Sequence, residues 1–304
     1  MWWMAGELDG DGSVGIYAGR LKVAIKKSVK SKTTLQHIQQ LFGGDLHYCP
    51  AAKDTWEDQV FWTLHAEPAR AFCSKIAPYV FLKRAQFEVA ASITVGRTPA
   101  VACKEGREVS VQNGTELHLL ISDPAVLIWT VRRRMAKAGG TPFQLGGWTV
   151  TCKPRLEVKK ATQRAAEQLR ELKQKEHDAI TGPLPPPPYF CGFFEADGCV
   201  TLTGPNASVS VSQKYRSICD LLQAIYGGRV SRAEMEAATL GHMWRWAAHS
   251  KSARKFLEDV YAHAFEKREQ MHLALSATKA NWRKNKLEMD AMKGARKKKK
   301  QNAL

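Results

Sequence analysis

Met4-Ala-Gly-Glu-Leu-Asp-Gly-Asp-Gly12 and Phe190-Cys-Gly-Phe-Phe-Glu-Ala-Asp-Gly198 are the two stretches on which the fold turns. They stand 186 positions apart, and each sets small residues four apart, Gly6 with Gly10 and Gly192 with Ala196. On a helix that spacing makes a single smooth face, so the two segments are expected to pair with their backbones in close approach. Each ends in an acid followed by glycine, Asp11-Gly12 and Asp197-Gly198, where glycine is expected to let the chain leave the helix at positive φ. Pairing would then bring two carboxylates together across a pseudo-twofold axis. Like charges side by side are costly unless a cation lies between them, and oxygen ligands select hard ions such as Mg²⁺ or Ca²⁺. The arrangement suits metal-assisted phosphodiester hydrolysis.

Working outward, the segment Val60 to Gln86 repeats 184 positions later. Trp62, His65, Ala69, Arg70, Phe72, Phe81, Lys83, Arg84 and Gln86 recur as Trp246, His249, Ala253, Arg254, Phe256, Phe265, Lys267, Arg268 and Gln270, nine identities in 27 positions without a gap. The pair Gly43-Gly44 recurs at the same offset as Gly227-Gly228, each after an apolar helical stripe. A two-residue indel before that stripe reconciles the two offsets. Each copy, about 90 residues long, reads as helix, alternating strands, helix, strands, helix. The alternation runs through Val14-x-Ile16 and Leu21-x-Val23-x-Ile25 in the first copy, and through Val200-x-Leu202 and Val209-x-Val211 in the second. Turns are expected at Ala18-Gly19 and Gly204-Pro205-Asn206.

Between the copies, Thr98 to Thr151 has no counterpart in either. It holds an expected strand, Leu117 to Ile121, and an expected helix with Asp123 as N-cap, Pro124 in its first turn and Gly139-Gly140 as its stop. A polar helix over roughly Val158 to Ala179 and a stiff Pro183-Leu-Pro-Pro-Pro-Pro188 spacer follow. From Lys279 a basic helix runs into Arg296-Lys-Lys-Lys-Lys300, read as a solvated or targeting tail that would add sequence-independent affinity for nucleic acid. The organisation is therefore a unit at 1–94, an insertion and linker at 95–186, a second unit at 187–278 and a tail at 279–304.

The 304 residues carry 46 Lys+Arg against 29 Asp+Glu, a net charge of +17, which points to an anionic partner, most often nucleic acid. No apolar run is long enough for a membrane span, and no secretory signal opens the chain. Seven scattered cysteines without a Cys-x-x-Cys pair argue for a reducing compartment and against structural zinc, and no histidine pair has His-Glu-x-x-His spacing. Trp62 and Trp246 read as core, and His65 and His249, at strand ends, as structural.

The two heads resemble the LAGLIDADG motif, and the duplicated unit resembles the single-chain LAGLIDADG homing endonucleases over roughly 1–94 and 187–275. The resemblance implies an α+β fold of two pseudo-symmetric αββαββα units whose antiparallel sheets form a saddle in the DNA major groove. Cleavage of double-stranded DNA would occur across the minor groove beneath Asp11 and Asp197, which would hold Mg²⁺ or another hard divalent cation. It also implies a polar side chain beside the metal-bound water, which strand pattern assigns to Gln213 and Lys27. A basic residue near the scissile phosphate, at the start of the third helix, matches Lys83 and Lys267. A lysine there would stabilise developing charge and a glutamine would orient water. Base readout is expected from alternate strand residues: Arg20, Lys22, Lys26, Asn206, Ser208 and Ser210. The expected state is a monomer with no membrane partner, in an organelle such as a mitochondrion or chloroplast, although only five asparagines suit a GC-rich or nuclear gene better. Two departures stand out: Glu7 replaces an apolar motif residue, and the insertion is long for a linker. They motivate an alternative, a non-cleaving relative that binds structured RNA as a splicing cofactor or ribosome-associated component. A third reading is a transcription regulator of the same fold.

Overall fold

The computed structural model describes residues 1–17, 19–51, 57–93, 100–104, 107–110, 143–145, 148–152, 155–174, 183–233 and 243–294. The first unit runs α1 (Trp2–Gly10), β1 (Gly12–Tyr17), β2 (Arg20–Ser28), α2 (Lys32–Phe42), β3 (Asp45–Cys49), β4 (Gln59–His65), α3 (Ala66–Ile76) and α4 (Arg84–Ser92). The intervening segment contributes β5 (Ala100–Lys104), β6 (Arg107–Ser110), β7 (Phe143–Leu145), β8 (Trp148–Cys152) and α5 (Arg155–Gln174). The second unit runs α6 (Pro187–Asp197), β9 (Gly198–Thr203), β10 (Asn206–Gln213), α7 (Arg216–Tyr226), β11 (Arg229–Ala233), β12 (Met243–His249), α8 (Ser250–Tyr261) and α9 (Arg268–Leu275), with α10 (Trp282–Gly294) after it. The expected strand at Leu117–Ile121, the helix after Asp123 and the tail from Arg296 lie outside the described residues.

The two units have one topology. Their antiparallel sheets are ordered β1-β2-β4-β3 and β9-β10-β12-β11, so the duplication read from sequence is a duplication of architecture. The inserted strands form a third antiparallel sheet, ordered β6-β5-β8-β7. One expectation needs correction: the third helix of each unit is two helices. In the first unit a 3₁₀ turn at Ala77–Tyr79 separates α3 from α4, and Lys83 and Lys267 stand at the N-termini of the fourth helices rather than the third.

Alternation decides which face of each sheet meets its helices. Val23 and Ile25 of β2, Val60, Trp62 and Leu64 of β4, and Val209, Val211 and Trp246 in the second unit point inward and are buried. The Gly-Gly pairs serve the tryptophans. Gly43 and Gly44 take φ of 70° and 92°, Gly227 and Gly228 of 75° and 90°, and Trp62 and Trp246 donate Nε1–H to the carbonyls of Gly43 and Gly227 at 2.8 and 2.9 Å. A Cβ on Gly44 or Gly228 would lie 2.6 or 2.5 Å from a strand carbonyl, so glycine is required twice over.

The linking helix α5 buries Leu169 and packs on α4 and β1, while Lys214 of the second unit donates to the Lys173 carbonyl at 2.7 Å. The C-terminal helix is docked along β9 as far as Gly294. It buries Met289, and Lys286 and Lys293 donate to the carbonyls of Leu202 and Val200, partners that an edge strand otherwise leaves to water. Among the described residues no helix is long and apolar enough to cross a membrane.

Candidate active site

The motif helices α1 and α6 pack backbone against backbone. A Cβ on Gly6 would lie 2.1 Å from the Tyr189 carbonyl oxygen, one on Gly192 would lie 2.0 Å from that of Trp3, and one on Gly10 would meet the Ala196 methyl at 2.3 Å. Gly12 and Gly198 correct the expectation drawn for them. Neither takes a positive φ; Gly198 sits at −84°. Proximity demands them instead: a Cβ at Gly12 would be 2.6 Å from the Leu8 backbone, and one at Gly198 2.4 Å from the Phe194 carbonyl.

This packing sets Asp11, which caps α1, and Asp197, the last residue of α6, at neighbouring helix ends. Burial, then the Asp11 charge, push the Asp197 carboxyl from an ordinary 3.8 up to about 6, against the pull of Lys83, the Gln213 amide and Lys267. Gln213 Nε2 donates to Asp197 Oδ2, and Gln213 Oε1 accepts from the Lys214 amide at 3.2 Å. In the first unit Lys27 takes the equivalent place. Its ammonium lies 3.3 Å from Asp11 Oδ2, 3.0 Å from Glu7 Oε2 and 3.2 Å from Glu266 Oε2, and Ser31 donates to the same Glu266. Burial works against the Lys27 charge, but Glu7, Glu266 and Asp11 outweigh it and hold the group above its ordinary range. Glu7 is fully buried, which drives its carboxyl up to about 8 despite Lys27.

The lysines expected near the phosphate are engaged at the motif helices. Lys83 Nζ donates to the carbonyls of Leu8, Gly10 and Gly12 at 2.7, 3.0 and 2.7 Å, using all three of its protons on the C-terminal end of α1. Lys267 Nζ donates to two carbonyls near the end of α6, those of Phe194 and Glu195. Burial lowers both, Lys83 to about 8, while nearby acids resist the shift.

Sequence reading passed over Asp9 and Glu195. Asp9, buried, accepts from the amides of Phe81, Leu82 and Lys83 at 2.8, 3.1 and 2.9 Å and from the Tyr189 hydroxyl at 2.7 Å. Glu195 accepts from the amides of Phe265 and Lys267 at 2.6 and 3.1 Å and from Trp3 Nε1 at 3.0 Å. Each anion satisfies orphan donors at the N-terminus of α4 or α9 and so ties a motif helix to it. Recurrence was the available signal, since both stand two residues before the motif acid.

All six expected readout residues fall on the outer faces of their sheets. Arg20 and Lys26 are exposed and Lys22 is half-buried. In the second unit Asn206 is exposed, but Ser210 accepts from Arg245 Nη2 at 3.2 Å and Ser208 is only 7% exposed. Arg245, opposite Ser212 on the same face, is the exposed cation there that sequence reading missed. His65 and His249 both end strands on these outer faces and are exposed.

No family model and no curated protein matches the chain. Among solved structures it is similar to the meganuclease I-SmaMI bound to uncleavable DNA, at 13% identity over 97% of each chain with a TM-score of 0.50. It is also similar to the LAGLIDADG meganuclease I-AabMI bound to uncleaved DNA, at 15% identity over 95% of this chain and 98% of that one, TM-score 0.49. A third similar structure is the LAGLIDADG homing endonuclease I-GzeII with its DNA target, at 14% identity over 94% and 87%, TM-score 0.45. With paired glycine-faced motif helices, two matching four-stranded sheets and an acid at the end of each motif, the chain has the fold of the two-motif LAGLIDADG homing endonucleases.

Proposed function

We propose that the protein is a site-specific endonuclease for double-stranded DNA that hydrolyses phosphodiesters with the help of a bound divalent cation. The observation that carries the reading is the meeting of Asp11 and Asp197 at the ends of two helices held in backbone contact. The donor set fits a hard cation: it is made of carboxylate oxygens, and Asp197 is raised to about 6 by burial and its neighbour's charge, the imbalance that a cation relieves. Asp11 and Asp197 would hold it, with Mg²⁺ the expected ion. Such an ion, when bound, activates water and neutralises charge on the phosphate. The protein's own groups do the positioning. Gln213, fixed between Asp197 and the Lys214 amide, can orient a water, and Lys27 keeps a positive charge beside Asp11. Lys83 and Lys267 hold the helix ends that carry the acids. Arg20, Lys22, Lys26 and Arg245 give the outer faces the positive charge a phosphate backbone requires.

Lys27 also favours a second reading. A protein ammonium already offsets Asp11, which is what a non-cleaving binder of structured RNA or DNA would tolerate. Purified protein should therefore be offered randomised duplex DNA and total cellular RNA, in Mg²⁺ or in EDTA, beside an Asp11→Asn/Asp197→Asn control. Mg²⁺-dependent double-strand cuts that vanish in the control are expected. RNA retained without cuts, indifferent to the double substitution, would replace the nuclease reading with the second one.

A further inference from the structure

The structure assigns a second metal site, distinct from the motif acids: Asp45, His47 and His65 form a binding site for a divalent transition ion, of which Zn²⁺ is the natural occupant. Asp45 and His47 are two apart on β3 and so share its outer face, and Asp45 pairs with Thr63, two residues before His65 on β4. Strand pairing thus brings together three side chains that sequence separates. One ligand atom from each lies within 4.8 Å of the other two, and the side chains would turn inward to reach the donor separation of about 3.3 Å around a tetrahedral ion. Two imidazoles and a carboxylate are a donor set suited to zinc and its neighbours rather than to Mg²⁺, and they leave coordination positions open to water.

Two further observations favour an ion here. All three residues are exposed, so ligands and ion have access without unfolding, and among the described residues none makes a hydrogen bond or salt bridge that an ion would have to displace. Lys22, paired with His65 on the neighbouring strand, and Arg20 bring positive charge to this region, and the Lys22 ammonium lies over the Tyr17 ring, 5.7 Å from the centroid. The second unit provides an internal comparison. At the offset of 184 the same places hold Arg229, Ser231 and His249, so the histidine recurs but the donor set does not. The site is a property of the first unit alone, and it would pin β3 to β4 on the face that carries Arg20, Lys22 and Lys26.

The inference does not depend on nuclease activity, and its test is chosen accordingly. Tag-free full-length protein carrying Asp11→Asn/Asp197→Asn, which weakens hard-ion binding at the motif acids, is titrated with Zn²⁺ by calorimetry and with Co²⁺ by visible absorption. One ion more per chain is expected than in the same protein with His47→Gln/His65→Gln added, whose affinity at this site should fall by more than about tenfold. Zn²⁺ should raise the melting temperature of the parent and not of that variant. Cys49→Ser, on the same strand, and His249→Gln should leave the extra ion in place. Equal stoichiometry and affinity with and without the two histidines, or cobalt absorption that disappears with Cys49→Ser, would overturn the assignment.

Discussion

Lys27 occupies in the first unit the place that Gln213 holds in the second, and that exchange makes the two halves chemically unequal. Its side chain is 4% exposed and faces Glu7 at 0%, whereas Asp11 and Glu266 are 29% and 25% exposed and keep some water. Above about pH 8, where Glu7 is ionised, Lys27→Met would strand it without its counter-charge and is expected to cost about 3–5 kcal/mol, measured by denaturant unfolding; below that pH Glu7 takes a proton and the cost should shrink. Glu7→Leu/Lys27→Met replaces the buried pair with apolar groups and should return to within about 1 kcal/mol of the parent, because the two remaining acids reach solvent. Asp197 makes a prediction of opposite character. Its pKa in the fold is raised, from 3.8 to about 6, so the fold keeps a proton that the unfolded chain gives up. Below about pH 4 both states are protonated and no penalty applies. Above about pH 6 both are ionised and the fold bears the full cost, on the order of 3 kcal/mol. Without divalent metal the melting temperature should therefore decline across that window. With Mg²⁺ the stabilisation should grow as pH rises through 6, because the ion competes with the proton, and Asp197→Asn should flatten both trends.

Elements in this fold are tied by contacts that sequence spacing does not display. The N-termini of α4 and α9 lack a local capping residue, with Lys83 and Lys267 in the N-cap position, because the acceptor comes from Asp9 or Glu195 on a motif helix some 70 residues earlier. Pro78 in the 3₁₀ turn signalled the break after α3, but no local cap marked a new start, so each unit's two final helices read as one. The motif helices were legible because their face is written in residue size. That face yields a prediction in which two terms compete. Gly6→Ala and Gly192→Ala each gain about 1 kcal/mol of helix propensity, but each new methyl meets backbone carbonyl oxygen near 2 Å, which cannot rotate away. The clash should win, with a net loss of roughly 1–3 kcal/mol in unfolding experiments. The strand-to-helix junctions run the other way. Ala66 and Ser250, equivalent in the repeat, take φ of 53° and 50° without being glycine. Ala66→Gly should relieve that strain and stabilise by up to about 1 kcal/mol, a rise in denaturant midpoint that Lys83 and its partners do not influence.

At the scale of the whole molecule, duplication made the architecture readable and asymmetry hid the chemistry. Recurrence at fixed offsets exposed the paired acids, the tryptophans and the Gly-Gly turns, all of which depend on period and size. The places where the copies differ were opaque: Lys27 against Gln213, or Asp45 and His47 against Arg229 and Ser231. Their meaning lies in which strand lies beside which, and that is settled only when β4 is seated between β2 and β3. Ser208 shows the same limit, since alternation assigned it correctly to the outer face but could not foresee that it is covered. The net charge of +17 belongs to no single element, and on duplex DNA it should act in two separable ways. Charges that touch phosphate release counterions, so the logarithm of affinity falls with the logarithm of salt by about 0.9 per contact. Lys22→Ala/Lys26→Ala should lower that slope by up to about two contacts and, if those side chains reach base edges, should also reduce preference for the selected site over random sequence. Removing Arg296–Lys300 should weaken selected and random duplexes alike and leave their ratio unchanged. Fluorescence anisotropy in EDTA across a potassium chloride series measures both quantities. A slope untouched by Lys22→Ala/Lys26→Ala would mean that the outer face of the first sheet is not where DNA lies, and the charge would then have to act from the linker or the tail.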